Sequence, residues 1–242
     1  MISQANSRYL LAIESATSIC SVALFQNDQL LGEVSKFSPR SHNEKLAIIA
    51  AELLRQNGVE FNQVSNIAVS IGPGSFTGLR VGLSYAKGIA LGNGCKIIPI
   101  DTLKALALTV YQQGKNTGFD NSHEVNIVAA TVARKSESFA GTYKLNSNSG
   151  YPDRIGEITL ICEQDLSNKK ILNNCLAGGE GFDNLILNSN ICENETWRLV
   201  SNVKASATSV GYLALKSVKE KYELDDTMSF EPMYINEFTV HK

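Results

Sequence analysis

The stretch SIGPGSFTGLRVGLSYAKGIALG, residues 70–92, constrains this chain more than any other, because six glycines and one proline share it with a helical run of apolar residues. A glycine-rich turn leading from a strand into a helix presents backbone N–H groups at the helix N-terminus, where proteins often hold phosphate. Neither common phosphate loop fits. No Lys-Ser/Thr follows the last glycine, as a Walker A loop requires, and Thr77-Gly78 breaks the spacing of G-x-G-x-x-G. The hydrolase elbow G-x-S-x-G fails too, because Gly74 directly precedes Ser75 and Gly78 comes three residues after it. Gly72, Gly74 and Ser75 are therefore read as a vestigial anion turn, inherited from a nucleotide-binding fold.

Within a helix a glycine costs about 1 kcal/mol relative to alanine, so Gly78 and Gly82 need a reason. They lie four apart and share a face with Tyr85 and Ile89, beside an apolar stripe of Leu79, Leu83, Ala86 and Ala90 and a polar stripe of Arg80, Ser84 and Lys87. A glycine face lets another backbone come close. That backbone belongs either to the chain's own sheet or to another protein, and the face is expected to meet another helix rather than a phosphate.

Around this motif the hydrophobic pattern alternates between strands and helices. YLLAIES (residues 9–15), CSVALFQ (20–26) and QLLGEVSK (29–36) read as strands in two adjoining hairpins, with Asn27-Asp28 as a tight turn. Residues 41–58 read as a helix, with Ser41 and Glu44 as a capping box and Leu46, Ile49, Ala50, Leu53 and Leu54 on one face. Its polar stripe of Glu44, Lys45, Glu52 and Arg55 contains Ile48, flanked by Ala47 and Ala51. Ile48 is either a lone exposed apolar residue, which is common, or the mark of a second buried face and a partner helix. NIAVSIG (66–72) and CKIIPID (95–101) are strands, and TLKALALTVYQQG (102–114) is a helix. The polar stretch after it suggests a boundary near residues 110–122, which divides the chain into lobes of 1–112 and 113–242. In the second lobe EVNIVAAT and ESFAGTYKL read as paired strands, NSNSG as a polar loop, and RIGEITLI and KILNNCLAGGEGF as further strands. A helix over 207–223 starts at Thr208 and turns Leu213, Ala214, Val218 and Tyr222 inward. The class is α/β, in two similar lobes that each mix strands with helices.

Composition narrows the function classes. With 22 basic and 24 acidic residues and a net charge of −2, the chain lacks the excess of a dedicated nucleic-acid binder. His42, His123 and His241 lie in different segments, and no clustered Cys/His set supplies the three or four ligands of a zinc or iron site. Five scattered cysteines, without a C-x-x-C pair, read as reduced thiols of a cytoplasmic protein. The start MISQANSRYLLAIES is not a signal peptide, and no window approaches the roughly 18 apolar residues of a membrane span.

The segments YLLAIESATSICSVALFQNDQLLGE, SHNEKLAIIAAELL, IAVSIGPGSFTGLRVGLSYAKGIALG and IIPIDTLKALA together resemble the TsaB (YeaZ) family. The likeness covers about residues 9–110; in the second half only LAGGEGF and EPMYINEF carry it. The resemblance implies an actin-like fold (ASKHA, ribonuclease H-like) with two lobes, in which LAGGEGF would be the adenosine turn. The first hairpin, Glu14-Ser15-Ala16-Thr17, would be the phosphate loop, with Ala16 in place of its glycine. The resemblance also implies a part in making N6-threonylcarbamoyladenosine on the tRNA adenosine 3′ of the anticodon in ANN-decoding tRNAs. There a synthase makes threonylcarbamoyl-AMP, the metalloprotein TsaD transfers the threonylcarbamoyl group, the ATPase TsaE joins them, and TsaB is the non-catalytic partner that TsaD needs. It implies a homodimer when alone, tRNA contact only through the complex, no cofactor of its own, and ATP or ADP at the level of the complex. On that reading Ile48, Ala51, Arg55, Gly78, Gly82, Tyr85 and Ile89 form the partner interface. TsaD carries an HHxxxH metal motif where this chain has DTLKAL, so its two ligand positions become Thr102 and Leu106, which do not suit iron or zinc. A D-A-R common in the family is also altered, with Val132 at the Asp position. The rival reading is a lone actin-like ATPase, with Glu14 assisting a metal–nucleotide, or a peptidase.

Overall fold

The computed structural model describes residues 8–37, 42–115, 124–146, 150–166, 174–187, 197–219, 229–233 and 235. Strands β1 (Tyr9–Glu14), β2 (Ile19–Gln26) and β3 (Gln29–Phe37) form an antiparallel meander. Asn27, at φ 54°, starts the two-residue turn between β2 and β3, the left-handed conformation that asparagine tolerates. Helix α1 (His42–Gln56) and a 3-10 turn (Phe61–Gln63) lead to β4 (Val64–Gly72), which pairs parallel with β1. Helix α2 (Phe76–Asn93) crosses over to β5 (Lys96–Asp101), parallel to β4, and completes a sheet of order β3-β2-β1-β4-β5. Helix α3 (Thr102–Gly114) leaves this sheet.

The second sheet starts with the hairpin β6 (Glu124–Arg134) and β7 (Glu137–Asn146). The expected strand RIGEITLI is divided: β8 (Pro152–Arg154) and β9 (Thr159–Cys162) pair with different stretches of β7. A short helix α4 (Glu163–Leu166) follows. LAGGEGF is also divided, because β10 (Cys175–Gly178) ends at the glycines and helix α5 (Glu180–Leu187) begins there. Strand β11 (Trp197–Val200), which the sequence reading missed, pairs parallel with β10 and gives the order β11-β10-β6-β7-β8. Helix α6 (Ala207–Lys219) begins one residue before Thr208, and the hydroxyl of Ser206 accepts the Thr208 N–H at 3.1 Å. Leu213 and Ala214 point inward as expected, but Val218 is 42% exposed, because it lies near the helix end and past the edge of the packed face. Ser41 of the expected capping box, the side chain of Glu44, Tyr222, His123 and His241 lie outside the described residues.

The helices that follow the two sheets are exchanged between them. Helix α3 lies against β6, β7 and β10 of the second sheet, while α6 lies across β1 and β2 of the first. Thr109 on α3 and Ser209 on α6 share a buried hydrogen bond of 2.8 Å. One apolar cluster therefore spans both lobes, from Leu10, Ala23 and Phe25 through Leu106, Val110, Val210 and Leu213 to Ile127, Tyr143 and Leu176. On the far side of the first sheet, α1 and α2 cover Leu11, Ile13, Val22, Leu24, Ile67 and Val69 with Leu46, Ile49, Leu53, Leu83 and Ala86. Helix α5 covers the outer face of the second sheet with Phe182 and Leu185. No helix among the described residues is long and apolar enough to cross a membrane.

Candidate functional site

The glycine turn lies where β4 ends, between the β1–β2 turn and α2, and the chain itself occupies its donors. The Ser75 N–H donates to the Ala16 carbonyl at 2.6 Å, and the Gly72 N–H donates to Thr102 Oγ1 at 3.0 Å. Ser75 is the N-cap of α2, its hydroxyl accepting the Gly78 N–H at 3.2 Å, which is ordinary capping chemistry. On the other side Met233 donates its N–H to the Ile71 carbonyl at 2.6 Å, and the Met233 carbonyl abuts Gly72. A Cβ on Gly74 would overlap the Ala16 carbonyl. The nearby buried side chain is a carboxylate, Glu14, and not a cation. These residues do not fit a nucleotide phosphate, because the Gly72 and Ser75 donors are spent on Thr102 and Ala16 and the nearby buried side chain is an acid rather than a cation.

The glycine face of α2 is a correction to the sequence reading. Gly78 and Gly82 are buried, and a Cβ on either would overlap Ser15, its carbonyl oxygen in the first case and its Oγ in the second. Ser15 Oγ donates to the Gly78 carbonyl at 2.9 Å. The backbone that comes close is the chain's own β1–β2 turn, so these two glycines are not available to another helix. The open glycines are Gly88 and Gly92, where an added Cβ would meet nothing within 4 Å. With Phe61, Ser84, Tyr85, Ile89 and Asn93 they line an open groove of about 460 Å³. Tyr85 and Ile89 are half-buried in its wall, and burial pushes the Tyr85 hydroxyl up to about 12, so it stays protonated. Leu91 beside the groove is 76% exposed. Helix α1 packs beside α2 and turns Ile48, 64% exposed, to solvent together with Ala47, Ala51 and Arg55.

The two positions aligned with a metal motif are occupied by packing residues. Thr102 is buried with its hydroxyl on Gly72, and Leu106 lies in the core between the lobes. Among the described residues no group of three or more His, Cys, Asp or Glu could hold a metal ion. Asp101 beside them was not singled out from sequence. Its carboxylate caps α3 through the Lys104 N–H at 3.0 Å and faces Arg154 of β8 at 3.6 Å, while burial pushes its pKa up. The N-cap pattern of an Asp before Thr-Leu-Lys was the available signal. Val132 lies on β6, partly exposed. In LAGGEGF, Gly179 has φ 110° and Gly181 lies against Ala130, so these glycines let α5 start close to β6.

Two α/β lobes with exchanged helices and a glycine turn at the end of the first sheet make an actin-like fold. The match to YeaZ from Pseudomonas aeruginosa, with a TM-score of 0.77 over 94% of this chain and 100% of that one at 23% identity, shows the same fold. Residues 25–163, more than half of the chain, match the protein-family model described as TsaD, tRNA N6-adenosine threonylcarbamoyltransferase. A Haemophilus influenzae protein, "tRNA threonylcarbamoyladenosine biosynthesis protein TsaB", is 32% identical over 165 residues, which cover 68% of this chain and 66% of that protein. A Buchnera aphidicola protein of the same name is 26% identical over 216 residues, or 89% of this chain and 83% of that one. The match to the first of these thus spans just under two thirds of that protein's length. The chain belongs to the TsaB (YeaZ) family.

Proposed function

We propose that this chain takes part in forming N6-threonylcarbamoyladenosine on tRNA as a non-catalytic subunit that docks onto a TsaD-type transferase. The names of its relatives and the match to the transferase family support the pathway. The observation that carries the subunit role is the contrast between two regions. Where the transferase would bind metal, this chain packs Thr102 and Leu106 into its own core. On α1 and α2, by contrast, Ile48, Leu91 and the groove at Gly88 and Gly92 stand open to a partner. Glycines without a Cβ let a second helix approach closely, and exposed aliphatic residues beside them supply the apolar area that an interface core requires. The same face would serve a homodimer when the chain is alone. TsaE, tRNA, and ATP or ADP would be met only in the full complex.

Reconstitution tests the reading. TsaD and a threonylcarbamoyl-AMP synthase are expected to modify tRNA slowly without this chain and fast with it; full rate in its absence would end the proposal. Ile48→Glu and Gly88→Arg are each expected to weaken binding to TsaD at least tenfold, about 1.4 kcal/mol or more, because each places a charge in an apolar contact. Both positions are exposed, so the variants should melt like the parent protein. Binding by both variants at parental affinity, measured by titration calorimetry, would remove α1 and α2 from the interface.

A further inference from the structure

A second cavity opens beside the Gly88–Gly92 groove, where the tail passes α2. Its volume is about 260 Å³. Arg80, Leu83, Ser84 and Lys87 of α2 wall it on one side, and Phe230, Glu231 and Pro232 of the tail on the other. Leu83 is buried, and Phe230 packs against the same apolar cluster of the first lobe. Beyond the cavity the Met233 N–H donates to the Ile71 carbonyl at 2.6 Å. The tail is thus anchored before and after Glu231, and the space between the anchors stays open.

The side chains around that space define what it can hold. Among the described residues, the Ser84 hydroxyl, the Lys87 ammonium and the Glu231 carboxylate make no hydrogen bond or ion pair. Opposite charges therefore border one small cavity without pairing with each other. Arg80 adds a second cation to the helix wall, with its guanidinium carbon 3.9 Å from the centroid of the Phe76 ring. An anion alone would meet Glu231, and a cation alone would meet Lys87 and Arg80. A molecule that carries both charges matches both walls through charge-assisted hydrogen bonds. Leu83, Phe230 and Pro232 supply the apolar lining that small-molecule sites use for contact, and the few polar groups fix orientation. The volume lies just below the range of about 300–1,000 Å³ usual for drug-sized ligands, which suits a smaller molecule.

We propose that the cavity between α2 and the tail binds a free α-amino acid with a short aliphatic side chain. Its carboxylate would sit on Lys87 and Ser84, its ammonium on Glu231, and its side chain against Leu83, Phe230 and Pro232. Such a ligand bridges helix and tail, so by linkage it holds the tail on α2. This inference does not depend on the tRNA pathway.

Titration of the full chain with L-leucine, followed by backbone NMR, tests it. The amides of Ser84, Lys87, Phe230 and Glu231 are expected to shift with a midpoint in the millimolar range. At about ten times the midpoint concentration, exchange of the Met233 amide should slow about tenfold. Isocaproate, which lacks the ammonium, and isoamylamine, which lacks the carboxylate, should each bind at least tenfold more weakly than leucine. Lys87→Gln and Glu231→Gln should each weaken leucine binding at least tenfold and melt like the parent, since both side chains reach solvent. No shift below about 10 mM leucine, or equal binding by leucine and either singly charged analogue, overturns the proposal. Shifts confined to other residues, or parental affinity in both variants, overturn it as well. If a variant does not fold, the ranking of the three ligands on the parent protein decides.

Discussion

Gly82→Leu is expected to cost this protein at least about 3 kcal/mol of stability, at the upper end for overpacked cores, and to lower its melting temperature by ten degrees or more. Leucine gains about 1 kcal/mol of helix propensity over glycine, but its Cβ lands on Ser15 Oγ. That hydroxyl cannot swing away freely, because Ser15 is fully buried and bonded to the Gly78 carbonyl at 2.9 Å. Gly78→Leu should be worse, since its Cβ meets the backbone carbonyl of Ser15. Gly88→Leu and Gly92→Leu are the controls on the same helix. Both face open space, so they keep the propensity gain and should melt at or above the parental temperature. Urea or thermal unfolding of the four variants reads the contrast directly. A parental melt for Gly82→Leu would mean that α2 does not rest on the β1–β2 turn. The same contrast bears on any binding assay: loss of a complex in Gly82→Leu would report unfolding, whereas loss in Gly88→Leu would report docking.

A fragment of residues 1–112 is expected not to fold, although it contains all five strands of the first sheet. One face of that sheet, including Leu10, Ala12, Ala23, Phe25 and Ala68, is covered by Val210, Leu213 and Ala214 of α6. Gly211 shows how close the fit is, because a Cβ there would overlap the ring of Phe25. Removing α6 exposes five or more apolar side chains at roughly 1.5–3 kcal/mol for each large one, comparable to the whole stability of a domain of this size. The fragment should show unfolded far-UV circular dichroism or aggregate. Adding a peptide of residues 201–223 should recover part of the signal. A well-dispersed NMR spectrum from the fragment alone would show that the first lobe is autonomous. The proposed division near residue 112 thus marks where the chain changes sheets, and cutting there separates each sheet from a helix it needs.

The alternation of elements was legible because the first half is written in unambiguous patterns. YLLAIE and CSVALFQ are mostly apolar with no alternation because both faces of β1 and β2 are buried, and Leu46, Ile49 and Leu53 repeat at helical spacing because one face of α1 is. The second half was harder for a physical reason. β11 has four residues, one of them Arg198, and β8 has three, too few for a period to show. At the candidate site, i, i+4 glycines announce that a backbone comes close but not whose it is. Ser15 and Ala16, which answer that question, lie some sixty residues away with nothing in their identity to mark the contact. The burial of Glu14 at the end of β1 was not legible either, since a glutamate ending an apolar strand ordinarily lies where the strand reaches water.

The Met233–Ile71 hydrogen bond has a topological consequence. Three spans meet at the end of β4: the first hairpin through Ala16, helix α2 through Ser75, and the tail through Met233. Ala16 and Met233 lie more than two hundred residues apart in sequence, so this one strand end is closed by hydrogen bonds from parts made early and late in synthesis. Met233 is thereby tied to the end of β4, the strand end from which α2 starts.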